Sequence, residues 1–466
     1  MRYKQLAAQY INKIESGQLA VNAKMPSLRN FKQLHNVSMT TALNCYQHLE
    51  SLGWLLAKPQ SGYYVANQSL LNNKPTAPTL ISFQSVTTQP SLPQAYNPFI
   101  DPCPLGIARY DPSLMPVVKL QQSFKRAMKQ QGGLLSHYPN PQGEISLREN
   151  LSTHFKNVDF HFAAENCVVT HGCLDAIRTA IEITTDIGDA IAISSPCFSG
   201  LLELLGVMGR RVVEIPSVKE GIDLEQLQKQ MQFGTIKAGL FCTSHMNPQG
   251  ISMSALQKQK LVELATRYKI PIIEDDVYLE LGFKKVIPLP AKHWDSEGYV
   301  LWCGSISKTI AAGYRLGWCL PGRYLDAYLR QRLFANQGVT SPLQLAIADF
   351  IARGDYINHL KKVRLHLQQQ TQLYMTYLQE NLPEGSKISN PAGGFVLWIE
   401  VAKLDTSQLK HLARQNKVDI RIGDEFSTLA LYHHCFRLNI GFDMTATQVA
   451  VQLSCLIKLI QTCLKE

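Results

Sequence analysis

The stretch Gly304-Ser305-Ile306-Ser307-Lys308-Thr309-Ile310-Ala311-Ala312-Gly313-Tyr314-Arg315-Leu316-Gly317-Trp318 sets one lysine in a turn of small residues. Two serines precede it and an arginine follows. The turn comes straight after Tyr299-Val300-Leu301-Trp302-Cys303, an unbroken apolar run that reads as a buried strand. A lysine at a strand end is most often a solvated charge. Its neighbours allow a second reading: the amine can form an imine with an aldehyde, while Ser305 and Arg315 hold an anion beside it. The rest of the chain decides between the two.

Six further apolar runs lie upstream and downstream of this one: 167–169, 190–193, 211–215, 238–242, 270–273 and 315–320. Their hydrophobicity is continuous rather than alternating, which means strands covered on both faces. Helical stretches separate most of them, so the expected architecture is an α/β sandwich with a mostly parallel seven-stranded sheet. Ligands in such folds gather at the carboxyl ends of the strands. Those ends carry chemistry here. The first runs into His171-Gly172-Cys173-Leu174, a glycine turn opening a helix whose free amides can bind phosphate. The second reaches Phe198, an aromatic face. The fourth reaches Asn247 in a tight turn. The fifth reaches Asp275 and Tyr278, a carboxylate and a phenol. Each alone has a plain structural explanation as a turn, core ring or cap. Gathered on one sheet around Lys308, they supply what pyridoxal phosphate needs. That cofactor carries an aldehyde and a phosphate, and its pyridine nitrogen wants a carboxylate.

The 466 residues allow two or three domains, and 45% apolar with 18% charged residues describes a soluble globular protein. No apolar run reaches the roughly 18 residues of a membrane span, and Met1-Arg2-Tyr3-Lys4-Gln5 lacks a secretion-signal core. Eleven cysteines are scattered without a CxxC pair or metal-ligand spacing. These features predict a cytoplasmic protein with reduced thiols, no metal and no membrane association.

The net charge of +10 is uneven: residues 1–66 hold seven Lys or Arg against two Glu. A basic module beside a near-neutral body points to an anionic partner, nucleic acid first. Leu6, Tyr10, Ile11 and Ile14 mark a first helix stopped by Gly17. Ser27 caps a second over 28–35, and Ser38 caps a third whose Ala42, Cys45, Tyr46, Leu49 and Leu52 face a core. Gly53 ends it. A hairpin follows, 54–57 and 63–65 around a Lys58-Pro59-Gln60-Ser61-Gly62 tip. Three helices and a hairpin make a winged helix-turn-helix, the third helix entering the major groove of double-stranded DNA. Residues 67–99, proline-rich with Lys74 the one charge up to Pro98, read as a linker.

The first 66 residues resemble the GntR-type winged-helix domain in Gly17, Leu19, Met25-Pro26-Ser27-Leu28-Arg29, Val37-Ser38, Thr40, Tyr46, Leu49-Glu50, Gly53 and Ser61-Gly62-Tyr63-Tyr64-Val65. The resemblance implies DNA contacts by Ser27, Arg29, Ser38, Met39, Thr40, Asn44, Lys58, Ser61 and Gly62. Met39 stands where that family often has an arginine, which shifts base reading toward methyl groups, DNA shape or the wing.

Residues 100–466 resemble fold-type I pyridoxal phosphate enzymes of the aminotransferase class, with a large domain over about 100–345 and a small α+β domain over about 346–466. The resemblance implies that Lys308 is the catalytic residue and carries the cofactor as an imine. It implies that Asp275 pairs with the pyridine nitrogen, Tyr278 and Asn247 hold the ring oxygen, and Phe198 stacks on the ring. Gly172, Cys173, Leu174, Ser305, Ser307 and Arg315 take the phosphate. Tyr138 reaches that phosphate from a partner subunit, hence a homodimer, domain-swapped or not. Arg437 clamps the α-carboxylate of an amino acid. The chain departs from the family pattern at Ala312, usually proline, at Leu174, usually polar, and at Asp424, usually less charged. Together the two halves resemble the MocR family of bacterial transcription regulators. That implies a pyridoxal phosphate-dependent DNA-binding regulator whose effector is an amino compound or the cofactor itself. The alternative is an active aminotransferase, exchanging amino acid and 2-oxo acid, with an accessory DNA-binding domain.

Overall fold

A computed structural model describes residues 2–58, 61–66, 86–87, 104–284, 287–429 and 431–465. The described chain forms two compact units, one built mainly on residues 2–66 and one on the remainder.

The first unit contains α1 (Arg2–Glu15), α2 (Leu28–His35), α3 (Met39–Ser51), β1 (Leu55–Lys58) and β2 (Gly62–Val65). Side-chain caps set the helix starts: Ser27 Oγ accepts from the Asn30 amide and Ser38 Oγ from the Thr41 amide. Phe31, Ala42, Cys45, Tyr46 and Leu49 are fully buried and form its core with Leu6, Tyr10 and Ile14. Leu52, expected in that core, is 48% exposed. It falls one residue past the last helical position, and the chain turns away directly after it through Gly53 at φ +78°, so no further helical turn covers it. β1 pairs antiparallel with β2, Leu55 opposite Val65 and Lys58 opposite Gly62. The side chain of Lys58, the tip residues Pro59 and Gln60, and most of 67–99 lie outside the described residues.

The second unit is organised on a nine-stranded sheet. Its strands are β3 (Val86–Thr87), β4 (Val168–Thr170), β5 (Ala190–Ser195), β6 (Arg211–Val218), β7 (Gly221–Ile222), β8 (Ala238–Cys242), β9 (Ile272–Asp275), β10 (Val300–Ser305) and β11 (Gly317–Leu320). The order is β3-β6-β5-β8-β9-β10-β11-β4, with β7 attached to β6. All seven expected runs are strands. The expected count of seven misses β3 and β7, which at two residues each are too short to leave a hydrophobic pattern. From β6 through β10 the pairings are parallel, and β11 runs antiparallel to both its neighbours. Burial on both faces explains the continuous hydrophobicity. Ala190 and Ala192 face a layer with helices Leu224–Gln232 and Ala255–Tyr268. Ile191 and Ile193 face the opposite layer with helices Cys173–Thr184 and Ser199–Val207. A second, antiparallel sheet pairs Val396–Glu400 with Cys435–Asn439 and that strand with Arg421–Ile422. Helices Asp355–Asn381 and Thr447–Cys463 belong to the same unit. No helix among the described residues is long and apolar enough to cross a membrane.

Candidate functional site

Register brings the chemistry together. Asp275 ends β9 and lies abreast of Cys242 on β8 and Cys303 on β10. Ser305 ends β10 opposite Gly317, which in turn pairs with Thr170 at the end of β4. The strand ends therefore ring one pocket of about 800 Å³, open solvent at its mouth included. Its walls include Lys308, Asp275, Asn247, Tyr278, Phe198, Cys173, Leu174, Ser305, Ser307 and Arg315. Ten of the twelve residues expected at the cofactor thus share one cavity. Gly172 stands behind the wall. Its φ is +89°, and a Cβ there would come within 3.0 Å of Arg315 Nη2, so this backbone passes the guanidinium closely. Tyr138 is 89% exposed and is absent from the wall of its own chain's pocket.

Lys308 Nζ donates to the Ala108 carbonyl at 2.9 Å and lies 6.0 Å from the ring centres of Tyr278 and Phe395. Burial and the positive charge of Arg437 bring its pKa down to about 8, with Asp275 pulling the other way. Asp275 is buried, which pushes its carboxyl up to about 6, while the Cys173 thiol, donating at 3.4 Å, draws it back down. Arg437 sits on the antiparallel sheet, opposite Trp398 and Arg421. It donates Nη1 to Asn247 Oδ1 at 3.3 Å and Nη2 to the Gly106 carbonyl, and its buried Nε has no protein partner. Asn247 Nδ2 contacts the Tyr278 hydroxyl at 3.4 Å, so guanidinium, amide and phenol form one chain. The helix Cys173–Thr184 starts without a side-chain cap. Facing it, the Ser305 and Ser307 hydroxyls lie 2.8 Å apart and Ser305 Oγ donates to the Leu316 carbonyl at 2.8 Å. Arg315 adopts the left-handed conformation at φ +47°, which suits the tight return of the chain from β10 to β11.

These donors fit pyridoxal phosphate. The pocket offers a lysine amine whose pKa is depressed, a buried carboxylate for the ring nitrogen, and an uncapped helix start with two hydroxyls and a guanidinium for the phosphate. Sequence reasoning missed the Gly106 and Ala108 carbonyls, Phe395 as a neighbour of Lys308, the Cys173 thiol, and the pocket-wall residues Cys197 and Cys242. The two cysteines had a signal: both stand at strand ends, where the other site residues were found. The segment 104–110 had none, because it reaches the site from far away in sequence. Among the described residues ten cysteines are free thiols, and no cluster of three metal-ligating side chains exists.

In the first unit, Ser27, Arg29, Met39, Ser61 and Gly62 line a groove with Lys24, Leu28 and Tyr63. Ser38, which caps α3, and Thr40 and Asn44 on that helix are exposed. The hydroxyls of Ser27 and Ser38 are engaged in helix caps.

The pattern for aminotransferase class I and II matches residues 104–453, and the pattern for bacterial regulatory proteins of the gntR family matches residues 2–65. The uncharacterized HTH-type transcriptional regulator YdcR of Escherichia coli K12 is 33% identical over 442 residues, 94% of each chain. A second regulator of that strain, YjiR, is 30% identical over 460 residues, 96% of each chain. Among solved structures, the multiple substrate aminotransferase of Thermococcus profundus superposes with a TM-score of 0.71 at 22% identity, covering 78% of this chain and 91% of its own; at that identity the likeness concerns the fold. With both halves matched in order along one chain, the protein belongs to the GntR-type transcriptional regulators that carry a class I and II aminotransferase domain, the MocR type.

Proposed function

We propose that this regulator binds operator DNA as a cytoplasmic homodimer and responds to an amino compound, or to pyridoxal phosphate itself, at the Lys308 pocket. The observation that carries the reading is the joint one. A single pocket gathers Lys308, Asp275, Asn247, Tyr278 and the phosphate-type donors, and the same chain presents an exposed, basic helix-turn-helix groove. Bound there, pyridoxal phosphate supplies an aldehyde for a lysine amine and a ring that accepts electrons. The chain's own groups do the rest. Lys308 Nζ gives up its proton near pH 8. Asp275 would pair with the ring nitrogen, and Asn247 with Tyr278 would hold the ring oxygen. Phe198 would stack on the ring, and Cys173, Leu174, Ser305, Ser307 and Arg315 would hold the phosphate. Arg437, whose Nε has no protein acceptor, would offer that donor to an effector carboxylate. Tyr138, almost fully exposed, is free to serve a partner subunit's pocket, which supports the homodimer.

An effector regulates only if it binds two states of the protein unequally. The test is retention of the DNA upstream of the chain's own gene, with and without cofactor and with amino acids added singly. DNA retention that changes with one amino compound is expected; identical retention throughout would sink the effector reading. Arg29→Ala should weaken binding to all sequences alike and lower the salt slope by about one ion, as loss of one phosphate contact does. The full set of pocket groups, with Lys308 held near pH 8, also favours amino-group transfer as a second reading. Steady production of an amino acid from a 2-oxo acid decides for it.

The thiol beside Asp275 gives a pH prediction. Asp275 must be ionised to pair with a protonated ring nitrogen, so cofactor affinity falls as the pH drops through about 6. Cys173→Ala removes a donor to the carboxylate, raises its pKa and moves that fall to higher pH. Cys173→Ser restores it. Cofactor titrations by absorbance between pH 5 and 8 measure the midpoint, and an unmoved midpoint in the alanine variant would exclude the role.

A further inference from the structure

We propose that Met39 is the specificity-determining residue of the DNA-binding unit and selects thymine through its 5-methyl group. The inference rests on the reading of α3 as the helix that meets DNA, and adds which base it prefers.

α3 begins at Met39, so the first turn is the part of the helix closest to base edges in this docking mode. The polar groups of that turn are largely committed. Ser38 Oγ accepts the Thr41 amide at 3.0 Å and meets Thr41 Oγ1 at 2.8 Å. Met39 and Thr40 remain exposed. Met39 is 41% exposed, so its side chain is not spent on the core. It lines the groove together with Arg29, Ser61 and Gly62. No guanidinium or carboxamide projects from the first turn of α3; its first amide, Asn44, comes five residues after Met39. A guanine or an adenine is read directly by a bidentate side chain, which this position cannot offer. The cations that share the groove, Lys24 and Arg29, come from outside α3 and are suited to phosphates, which carry no sequence information. A thioether chain is apolar and adaptable, and it complements an apolar projection. The major groove of ordinary DNA offers one such projection, the methyl of thymine.

The test uses the full chain and a site enriched from random duplex DNA. Each thymine of that site is replaced singly by deoxyuridine, which deletes the methyl and nothing else. At one thymine per half-site the affinity should fall about fourfold, the worth of burying one methyl. Placing 5-methylcytosine there should bind better than cytosine. In Met39→Ala both differences should vanish, while in Arg29→Ala they persist on a uniformly weaker background. Because Met39 is exposed, its alanine variant is expected to keep the fold. Deoxyuridine tolerated at every position overturns the inference, and so does a methyl effect that survives in Met39→Ala. If no sequence is enriched at all, the DNA-binding reading falls and this inference with it.

Discussion

Lys308→Ala abolishes the near-visible absorbance that pyridoxal phosphate acquires on joining a lysine amine, and lowers cofactor retention through gel filtration to background. The expectation follows from what surrounds Nζ. It lies in the one wall that also carries Asp275, Tyr278 and Arg315, and its pKa of about 8 leaves roughly a tenth of the amine neutral at pH 7. Only the neutral amine is a nucleophile. Loading of the parent chain should therefore quicken about tenfold per pH unit up to pH 8 and then level off. Lys308→Arg should fail as fully as alanine, because a guanidinium does not deprotonate in proteins. The nearest rival as a buried lysine is Lys258. Its Nζ is committed to Ser244 Oγ at 2.9 Å and the Leu289 carbonyl at 2.8 Å, and it does not line the pocket. Lys258→Ala should leave the absorbance in place. A band that persists in Lys308→Ala, measured with the pH profile, would move the covalent role to another amine.

The particular residues explain why some of this was legible in the sequence and some was not. Runs such as 190–193 and 300–303 announce strands because both faces of a parallel sheet are buried, and burial writes itself as unbroken hydrophobicity. Asp275, Asn247 and Lys308 were legible for a related reason. They stand just past such runs, and a sheet with parallel strands delivers those ends to one edge. The two-residue strands β3 and β7 were not legible, since two residues have no period. Nor was the segment 104–110. Gly106 and Ala108 meet Arg437 and Lys308 through backbone carbonyls, which every residue has and no side-chain pattern reports. Cys173 shows a third kind of miss. Its amide was expected at the phosphate, while its thiol reaches Asp275, 102 positions away. Leu52 shows the limit of periodicity itself: the stripe predicts burial as long as the helix lasts, and α3 ends one residue too soon.

Phe31→Ala is expected to weaken DNA binding and to lower the melting temperature of the first unit, while leaving the absorbance of the lysine-bound cofactor unchanged. Phe31 is fully buried at the centre of the first unit. Its ring stands 5.3 Å from that of Tyr10, 4.4 Å from His35 and 4.8 Å from Tyr46, so it touches all three helices. Removing a buried phenyl ring costs about 3–5 kcal/mol through lost burial and the cavity left behind. A unit of this size holds on the order of 3–10 kcal/mol in all. The alanine variant therefore loses from about a third to all of the unit's stability, and α3 presents Met39 and Thr40 as a helix in fewer molecules. Phe31→Leu keeps most of the volume and should retain DNA binding with a lowered melting temperature. The two units have separate cores, the pocket residues all belonging to the second, so the loss should stay confined to the first. Calorimetry of the full chain should show the lower transition shifted or missing and the upper one in place. Gel shifts and cofactor absorbance on the same sample report the two functions. If cofactor binding declines together with DNA binding, the two units do not fold independently.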